Sequence, residues 1–210
     1  MIKNMAIISR KSRFRYILFN KPYGVLSQFT DSEGRKTLTD LGHFPKDVYS
    51  VGRLDYDSEG LLLLTNDRGL KNFILDPKNK HSRTYLVRVE KIPSVEALDK
   101  LRGGVVIEKR KTLPAEVKLL TNDPNLPPRS VPIRFRKSIP TAWLEITLRE
   151  GRNRQVRKMT ASVGHPTLRL VRVKIGALVL EGLKPGESRE LTKQEIKSLK
   201  QLVRIKNLTG

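Results

Sequence analysis

The 210-residue chain contains no cysteine. That excludes disulfides, thiolate zinc sites, iron–sulfur clusters and cysteine nucleophiles together. Its three histidines, His43, His81 and His165, are too scattered to suggest a histidine-only metal site. No apolar run approaches the roughly 20 residues that a membrane span needs. The start, Met1–Ser9, is basic and briefly apolar, but too short for a signal sequence and without a clear cleavage site. A cytoplasmic protein without membrane association is the expectation. Acids are the other scarcity. There are 21 of them against 42 lysines and arginines, a formal net charge of +21.

What is present begins with that excess, and it is uneven. Residues 1–16 hold five basic side chains and no acid, whereas residues 17–80 hold nine of each sign. Residues 81–150 are net +6 and residues 151–210 net +10, and the stretch 151–174 carries seven basic residues with no acid. A neutral middle between a basic start and a basic C-terminal third is the footprint of a polyanion binder, with nucleic acid first among the candidates. An anionic membrane surface is the weaker candidate, because no basic amphipathic helix with a large aromatic face is visible. At 38% hydrophobic, with runs such as Leu61–Leu64, the chain has enough material for a core.

Residues 1–13 read as a flexible basic arm and 14–210 as one domain. Arg15–Asn20 and Val25–Phe29 read as strands paired around the Pro22–Gly24 turn, and Val48–Leu54 as a third. Leu61–Leu64 reads as a buried strand. Asn66 and Asp67 can cap a helix over 68–75 that stops before Pro77. Tyr85–Glu90 alternates as a strand, and Ser94 caps a helix through Leu101 that ends at Gly103 and Gly104. Thr121–Arg129 is a loop, and Trp143–Leu148 a strand. A helix is predicted over 153–163 with Gly164 at its end, then strands at 168–173 and 177–180. Thr192–Glu195 is a capping box opening a last helix to about Val203. Strands outnumber helices and follow one another closely, which argues an α+β fold with a mixed, mostly antiparallel central sheet and flanking helices.

Two stretches carry chemistry. In Gly52–Gly60 an acidic cluster follows a strand, and alternation puts Arg53 and Asp55 on one side with Leu54 opposite. A guanidinium favours the ionised form of a neighbouring carboxylate, which can then act as nucleophile or base. An ordinary Asp/Gly/Ser surface turn is the alternative, and Asp55, Asp57 and Glu59 together are a conceivable metal cluster, although the spacing is not that of a calcium loop. The second stretch is Arg149–Lys158. On a helix opening at Asn153, Arg154, Arg157 and Lys158 share one face, and the helix N-terminus adds donors for a phosphate. The alternative is a solvated basic face. Tyr85, heading its strand, is ordinary sheet packing or a platform for an extruded base.

Taken together these stretches resemble the pseudouridine synthases that modify ribosomal RNA. The resemblance runs from about Arg15 to Leu191. It rests on Lys21–Ser27 (KPYGVLS), Val51–Asp67 (VGRLDYDSEGLLLLTND), Arg83–Val87 (RTYLV) and Glu150–Met159 (EGRNRQVRKM), followed by Val163–Pro166 and Leu168–Arg172. It implies the pseudouridine synthase fold with a catalytic cleft. It also implies that Asp55 is the catalytic aspartate, Tyr85 the tyrosine that stacks on the target base, and Arg157 the basic partner of Asp55. Arg53 would assist base extrusion or contact the backbone, and Arg152, Arg154, Lys158, Arg169 and Arg172 are further expected RNA contacts. The family needs no metal and no organic cofactor. Many relatives carry a small RNA-binding domain ahead of the catalytic one, and the few residues before the first strand are too short to build it. In this respect the chain is most similar to short enzymes acting on large-subunit rRNA, so large-subunit ribosomal RNA is the expected partner, with no obligate protein partner and a monomeric state. Two other readings remain from the residues alone, a ribosome-associated binder and a metal-dependent nuclease using Asp55, Asp57 and Glu59.

Overall fold

The computed structural model describes residues 14–133 and 138–209, with side chains to residue 201. The predicted arm over 1–13 lies outside the described residues. Four consecutive leucines on an extended chain face alternate ways, so burying all of them demands cover on both faces of a sheet. The fold supplies it. The first strand, β1 (Tyr16–Lys21), and the third, β3 (Glu59–Thr65), are buried along their whole lengths. They pair antiparallel, from Tyr16 opposite Thr65 to Lys21 opposite Gly60, with the short β2 (Tyr49–Ser50) on the other side of β3. Leu61 and Leu63 pack with Tyr16 and Leu18 against α1 (Arg68–Leu75) and the C-terminal α4 (Lys193–Thr209). Leu62 and Leu64 pack on the opposite face with Ile17, Phe19, Leu38 and Val48.

The other half of the sheet has its own core. β4 (Arg83–Glu90) pairs antiparallel with β8 (Thr141–Leu148) along all eight residues, and β8 with β7 (Glu116–Leu119). Val87, Leu144 and Ile146 meet Leu98 and Leu101 of α2 (Val95–Gly103) and Val156 and Met159 of α3 (Gln155–Ser162). A separate hairpin, β5 (Val106–Ile107) and β6 (Arg110–Lys111), follows α2. β9 (Thr167–Ile175) pairs antiparallel with β4 and carries β10 (Leu178–Val179) on its end, while β11 (Ser188–Glu190) edges β1. The sheet order is β11-β1-β3-β9-β4-β8-β7. The α+β class and the mixed, mostly antiparallel sheet are as the sequence predicts.

The halves meet where β3 runs parallel to β9, in register at Glu59–Val171 and Gly60–Arg172. Gly60 has φ +105, and a Cβ there would lie 2.3 Å from the Arg172 carbonyl oxygen. No other residue tolerates both conditions. Beside it the buried Glu59 carboxylate accepts two hydrogen bonds from the buried Arg169, at 2.9 and 2.8 Å.

Several expectations hold to the residue. Asp67 caps α1 through the Leu70 N–H, Ser94 caps α2 through that of Ala97, and Thr192 and Glu195 form the predicted reciprocal box. Others need correction. Val25–Phe29 is not a strand beside β1: Leu26 donates to the Lys36 carbonyl and the Gln28 carbonyl accepts from Leu38, so β1 is left to β3 and β11. Of the strand predicted over 48–54 only β2 forms, because Gly52 at φ +74 turns the chain away. α3 starts at Gln155, with Arg154 ahead of it in the left-handed region at φ 50. α4 extends past Val203 to Thr209.

The seam is testable. Gly60→Ala should cost about 2 kcal/mol or more, since backbone crowds the new Cβ at a positive φ. Urea unfolding reads it, and an unchanged midpoint would show that the seam relaxes freely.

Candidate active site

The loop after β2 is built from backbone hydrogen bonds supplied by the segment after β1. Ser27, buried at 5% exposure, accepts from the Leu54 N–H at 3.0 Å and donates to the Leu54 carbonyl at 2.9 Å. Gly24 N–H donates to the Tyr56 carbonyl at 2.9 Å, and Ser58 N–H closes a turn onto the Asp55 carbonyl. Asp55 is therefore gripped on both sides through its neighbours' peptides, while Leu54 is buried and Arg53 exposed. The turn after β1 is itself held by Lys21, fully buried, whose Nζ donates to the carbonyls of Val25 at 2.6 Å and Pro22 at 3.0 Å.

Across the seam stand the basic residues. Arg154 straightens at the head of α3 and donates to both Asp57 oxygens, at 3.0 and 2.9 Å, and its Nη1 lies 3.6 Å from Asp55 Oδ2. Arg157 Nη2 donates to the Asp57 carbonyl at 2.7 Å and sits 3.4 Å from the Asp57 carboxylate. The guanidinium within ion-pair reach of Asp55 is thus Arg154, whereas Arg157 meets Asp57 and, at longer range, Ser58 Oγ and the Thr167 carbonyl. Burial would raise the Asp57 pKa, but the hydrogen bond from Arg154 and the charges of Arg157 and Arg154 outweigh it and hold the carboxyl below its ordinary value. Burial pushes the Arg157 guanidinium below its usual value, opposed by Asp57.

Asp55 opens into a cavity of about 360 Å³ that takes walls from both halves of the sheet. Arg53 and Leu54 line it from the loop, Arg83 and Tyr85 from β4, and Arg152 to Gln155 from the approach to α3, with Arg172 from β9. Register explains the placing of Tyr85. Lys21, Gly60, Arg172 and Tyr85 are successive partners across β1, β3, β9 and β4, and directly opposed residues share a face. Tyr85, Asp55 and Arg53 therefore converge as expected.

The expected RNA contacts fare differently. Arg169 is spent inside the protein, on Glu59 and on the Pro127 carbonyl, and is 7% exposed, so it is no phosphate contact. Arg172, at 3% exposure, donates through Nε to the Leu61 carbonyl and is no surface contact either, while its Nη2 is buried without a hydrogen-bond partner. Arg152 donates to the carbonyls of Arg110 and Lys111, and Lys158 pairs with Glu108. Arg154, Arg157 and Lys158 do not form one helix face, because Arg154 precedes the helix and turns toward the acidic loop. Nor do Asp55, Asp57 and Glu59 gather: Glu59 faces Arg169, and Asp57 faces Arg154. The donor set of a loop-bound metal is thereby taken up by guanidinium groups. Sequence reasoning misses the roles of Ser27 and Lys21, which bound the Lys21–Ser27 block of the resemblance. The signal was a lone hydroxyl in an apolar stretch.

Lys21 gives the site a pH signature. Burial pushes its ammonium down to about 7, against the pull of Glu59, Asp57 and Asp55 and with a push from Arg172. The unfolded value is about 10.4, so between those values the unfolded state binds more protons and stability from this group rises with pH. Wild type should gain stability relative to Lys21→Met between pH 7 and 10 in urea titrations. A constant difference across that range would mean that Lys21 does not titrate there.

Comparison with known proteins agrees with this geometry. The family model for RNA pseudouridylate synthase matches residues 15–162. A ribosomal large subunit pseudouridine synthase E from Vibrio vulnificus is 52% identical over 191 residues, covering 90% of this chain and 79% of that protein. The enzyme of the same name from Xanthomonas axonopodis is 54% identical over 171 residues, 80% of this chain and 90% of that one. Among solved structures, one described as a pseudouridylate synthase superposes with a TM-score of 0.73 at 31% identity, covering 89% of this chain and 74% of its own. With the family model spanning most of the chain and relatives this similar along most of their length, the chain belongs to the RNA pseudouridylate synthase family.

Proposed function

We propose that this chain isomerises a uridine of large-subunit ribosomal RNA to pseudouridine, with residues 14–210 as one catalytic domain and Asp55 as its reacting carboxylate. The observation that carries the reading is the placement of Asp55, half-buried in a cavity shared with Tyr85, 3.6 Å from Arg154 and surrounded by an otherwise basic chain. A protein that only bound phosphates would have no use for an ordered acid held there.

The reaction breaks the bond from ribose C1′ to uracil N1, turns the ring, and joins C1′ to C5. C5 gives up its hydrogen as a proton and N1 gains one, so no atom or electron is added. The base must first leave its stack, at a cost of roughly a few kcal/mol. Contacts between cations and phosphates offset that cost. Asp55 then attacks C1′, adds to ring C6, or promotes elimination, and all three routes use the same placed carboxylate. Arg154 stands beside it as the neighbouring cation, and Arg157 acts one step removed, by fixing the Asp57 turn. Tyr85 keeps the released uracil in plane, and Arg53, exposed at the cavity mouth, contacts the strand from which the base has left. A cytoplasmic monomer working without metal or organic cofactor fits this chemistry.

Because the C5 hydrogen is lost, turnover can be followed as tritium released from RNA labelled at uridine C5. Asp55→Asn should lower release by about a thousandfold or more, over roughly 4 kcal/mol of barrier, with the circular dichroism unchanged. In a strain deleted for the gene, wild type should restore one pseudouridine of the large-subunit rRNA and the variant should not. A variant that restores it would remove Asp55 from the chemistry.

A further inference from the structure

Two of the cations expected to touch RNA are engaged on one small element, the β5–β6 hairpin. Arg152 donates from Nη1 to the Arg110 carbonyl at 3.1 Å and from Nη2 to the Lys111 carbonyl at 2.6 Å. Lys158 bridges Glu108 in the hairpin turn to Asn153 Oδ1. At the base Val105 and Thr112 exchange hydrogen bonds, and Ile107 is buried in the same cluster as Val156 and Met159 of α3. Six residues are thus tied down from several directions. The purpose of that rigidity is not core packing, because only Ile107 among them is buried.

The tip adds a second observation. Glu108 and Lys109 both adopt positive φ, 49° and 63°, in the two-residue turn where glycine or asparagine is ordinarily found. Backbone in that region is retained at functional elements when the side chain is needed. Here the Glu108 side chain makes the tether to Lys158. Lys109, Arg110 and Lys111 are exposed, and among the described residues none of their side chains has a hydrogen bond or ion pair. Arg152, which holds the hairpin, also lines the Asp55 cavity, as does Asn153, which accepts from Lys158. Three adjacent free cations are therefore held one arginine side chain away from the cavity wall.

We propose that the β5–β6 hairpin is a phosphate-gripping finger at the rim of the active site. Lys109, Arg110 and Lys111 take phosphates of the RNA strand beside the extruded nucleotide, and Arg152 and Lys158 are positioning residues that hold the finger there. The proposal rests on the RNA-modifying reading above and adds the element that supplies the binding energy for extrusion. Arg154, Arg157 and Arg152 beside Asp55 are paired internally and Arg53 stands exposed at the cavity mouth, so the flanking strand needs a further set. The rim hairpin offers one whose charge is not neutralised by neighbouring acids.

The test compares two variants that each lose two positive charges. Lys109→Gln/Arg110→Gln removes hairpin cations while leaving the backbone bonds to Arg152 in place. Lys91→Gln/Lys100→Gln removes exposed cations that line a different cavity, past the opposite end of β4. Binding to an unmodified large-subunit rRNA transcript is titrated with salt, and tritium release gives kcat and KM. The hairpin variant should raise KM about tenfold with kcat within twofold, and its slope of log K against log salt should fall by about 0.7 for each cation removed. The Lys91/Lys100 variant should stay within twofold of wild type in KM. Equal losses in the two variants would reduce the hairpin to general charge and overturn the proposal, as would an unchanged salt slope. Failure of the functional reading is seen separately, as absence of tritium release from wild type, and does not alter the binding comparison.

Discussion

The structure depends on a short parallel seam. Among the described strands β3 and β9 form the one parallel pair in a sheet of otherwise antiparallel neighbours, and they touch in register at two positions. Beyond those positions the strands part, and strands that part leave a crevice at their ends. Gly60 permits the contact by lacking a Cβ, and Arg172 Nε closes it on the Leu61 carbonyl. The Glu59–Arg169 pair locks it from the side, with side chains 7% and 8% exposed. Such a pair adds little net stability once desolvation is counted, but leaving either charge alone would cost roughly 3–5 kcal/mol. Its effect is to make any other register expensive. The cleft is thus fixed by what the seam forbids.

Within the cleft the two acids of the loop divide the work. Asp57 takes the bidentate bond from Arg154 and the close approach of Arg157, and so carries the attachment between residues about a hundred positions apart in the chain. Asp55 keeps a single, longer approach, 3.6 Å from Arg154. A carboxylate saturated by hydrogen bonds makes a poor nucleophile, and one with no neighbouring cation is poorly held. Asp57 absorbs the structural demand, and Asp55 remains in the cation's field with oxygen lone pairs available. Ser27 and Lys21 hold the loop through its backbone and that of the neighbouring turn, so the Asp55 side chain itself needs few bonds.

How much of this was legible in the sequence follows from the range of the interactions. Local signals read well. Asp67, Ser94 and the Thr192–Glu195 box cap helices through partners three residues away, and the Leu61–Leu64 run announces a strand covered on both faces. Asp55 and Tyr85 came from motif and resemblance, and register brings Tyr85 to the cavity. What failed was the partner of each charge. Arg154 and Arg157 share one face on a helix opening at Asn153, yet the left-handed backbone at Arg154 delays the helix to Gln155 and leaves that side chain on the acidic loop. Val25–Phe29 has strand composition, but its donors and acceptors go to Leu38 and Lys36, a pairing that no alternation pattern encodes. β7 is four residues with one inward side chain, Val117, too little for periodicity to register.

The net charge of +21 illustrates the same limit from the other direction. It points to a polyanion as a class of partner, because the excess sums over the whole chain and the far field does not depend on which cation is paired with what. It could not say which residues meet the polyanion. Arg169 and Arg172 lie in the acid-free stretch 151–174 and are among the least exposed cations, one pairing with Glu59 and the other donating to a backbone carbonyl. Guanidinium suits that interior work because its fixed fork bridges carbonyls and carboxylates with several donors at once. In this fold arginines organise the seam and the loop, while the lysine-rich hairpin between α2 and β7 presents charge outward. A basic sequence can therefore contain two populations of cations with opposite duties. Only burial and hydrogen-bond partners separate those that build the cleft from those left free to meet phosphate.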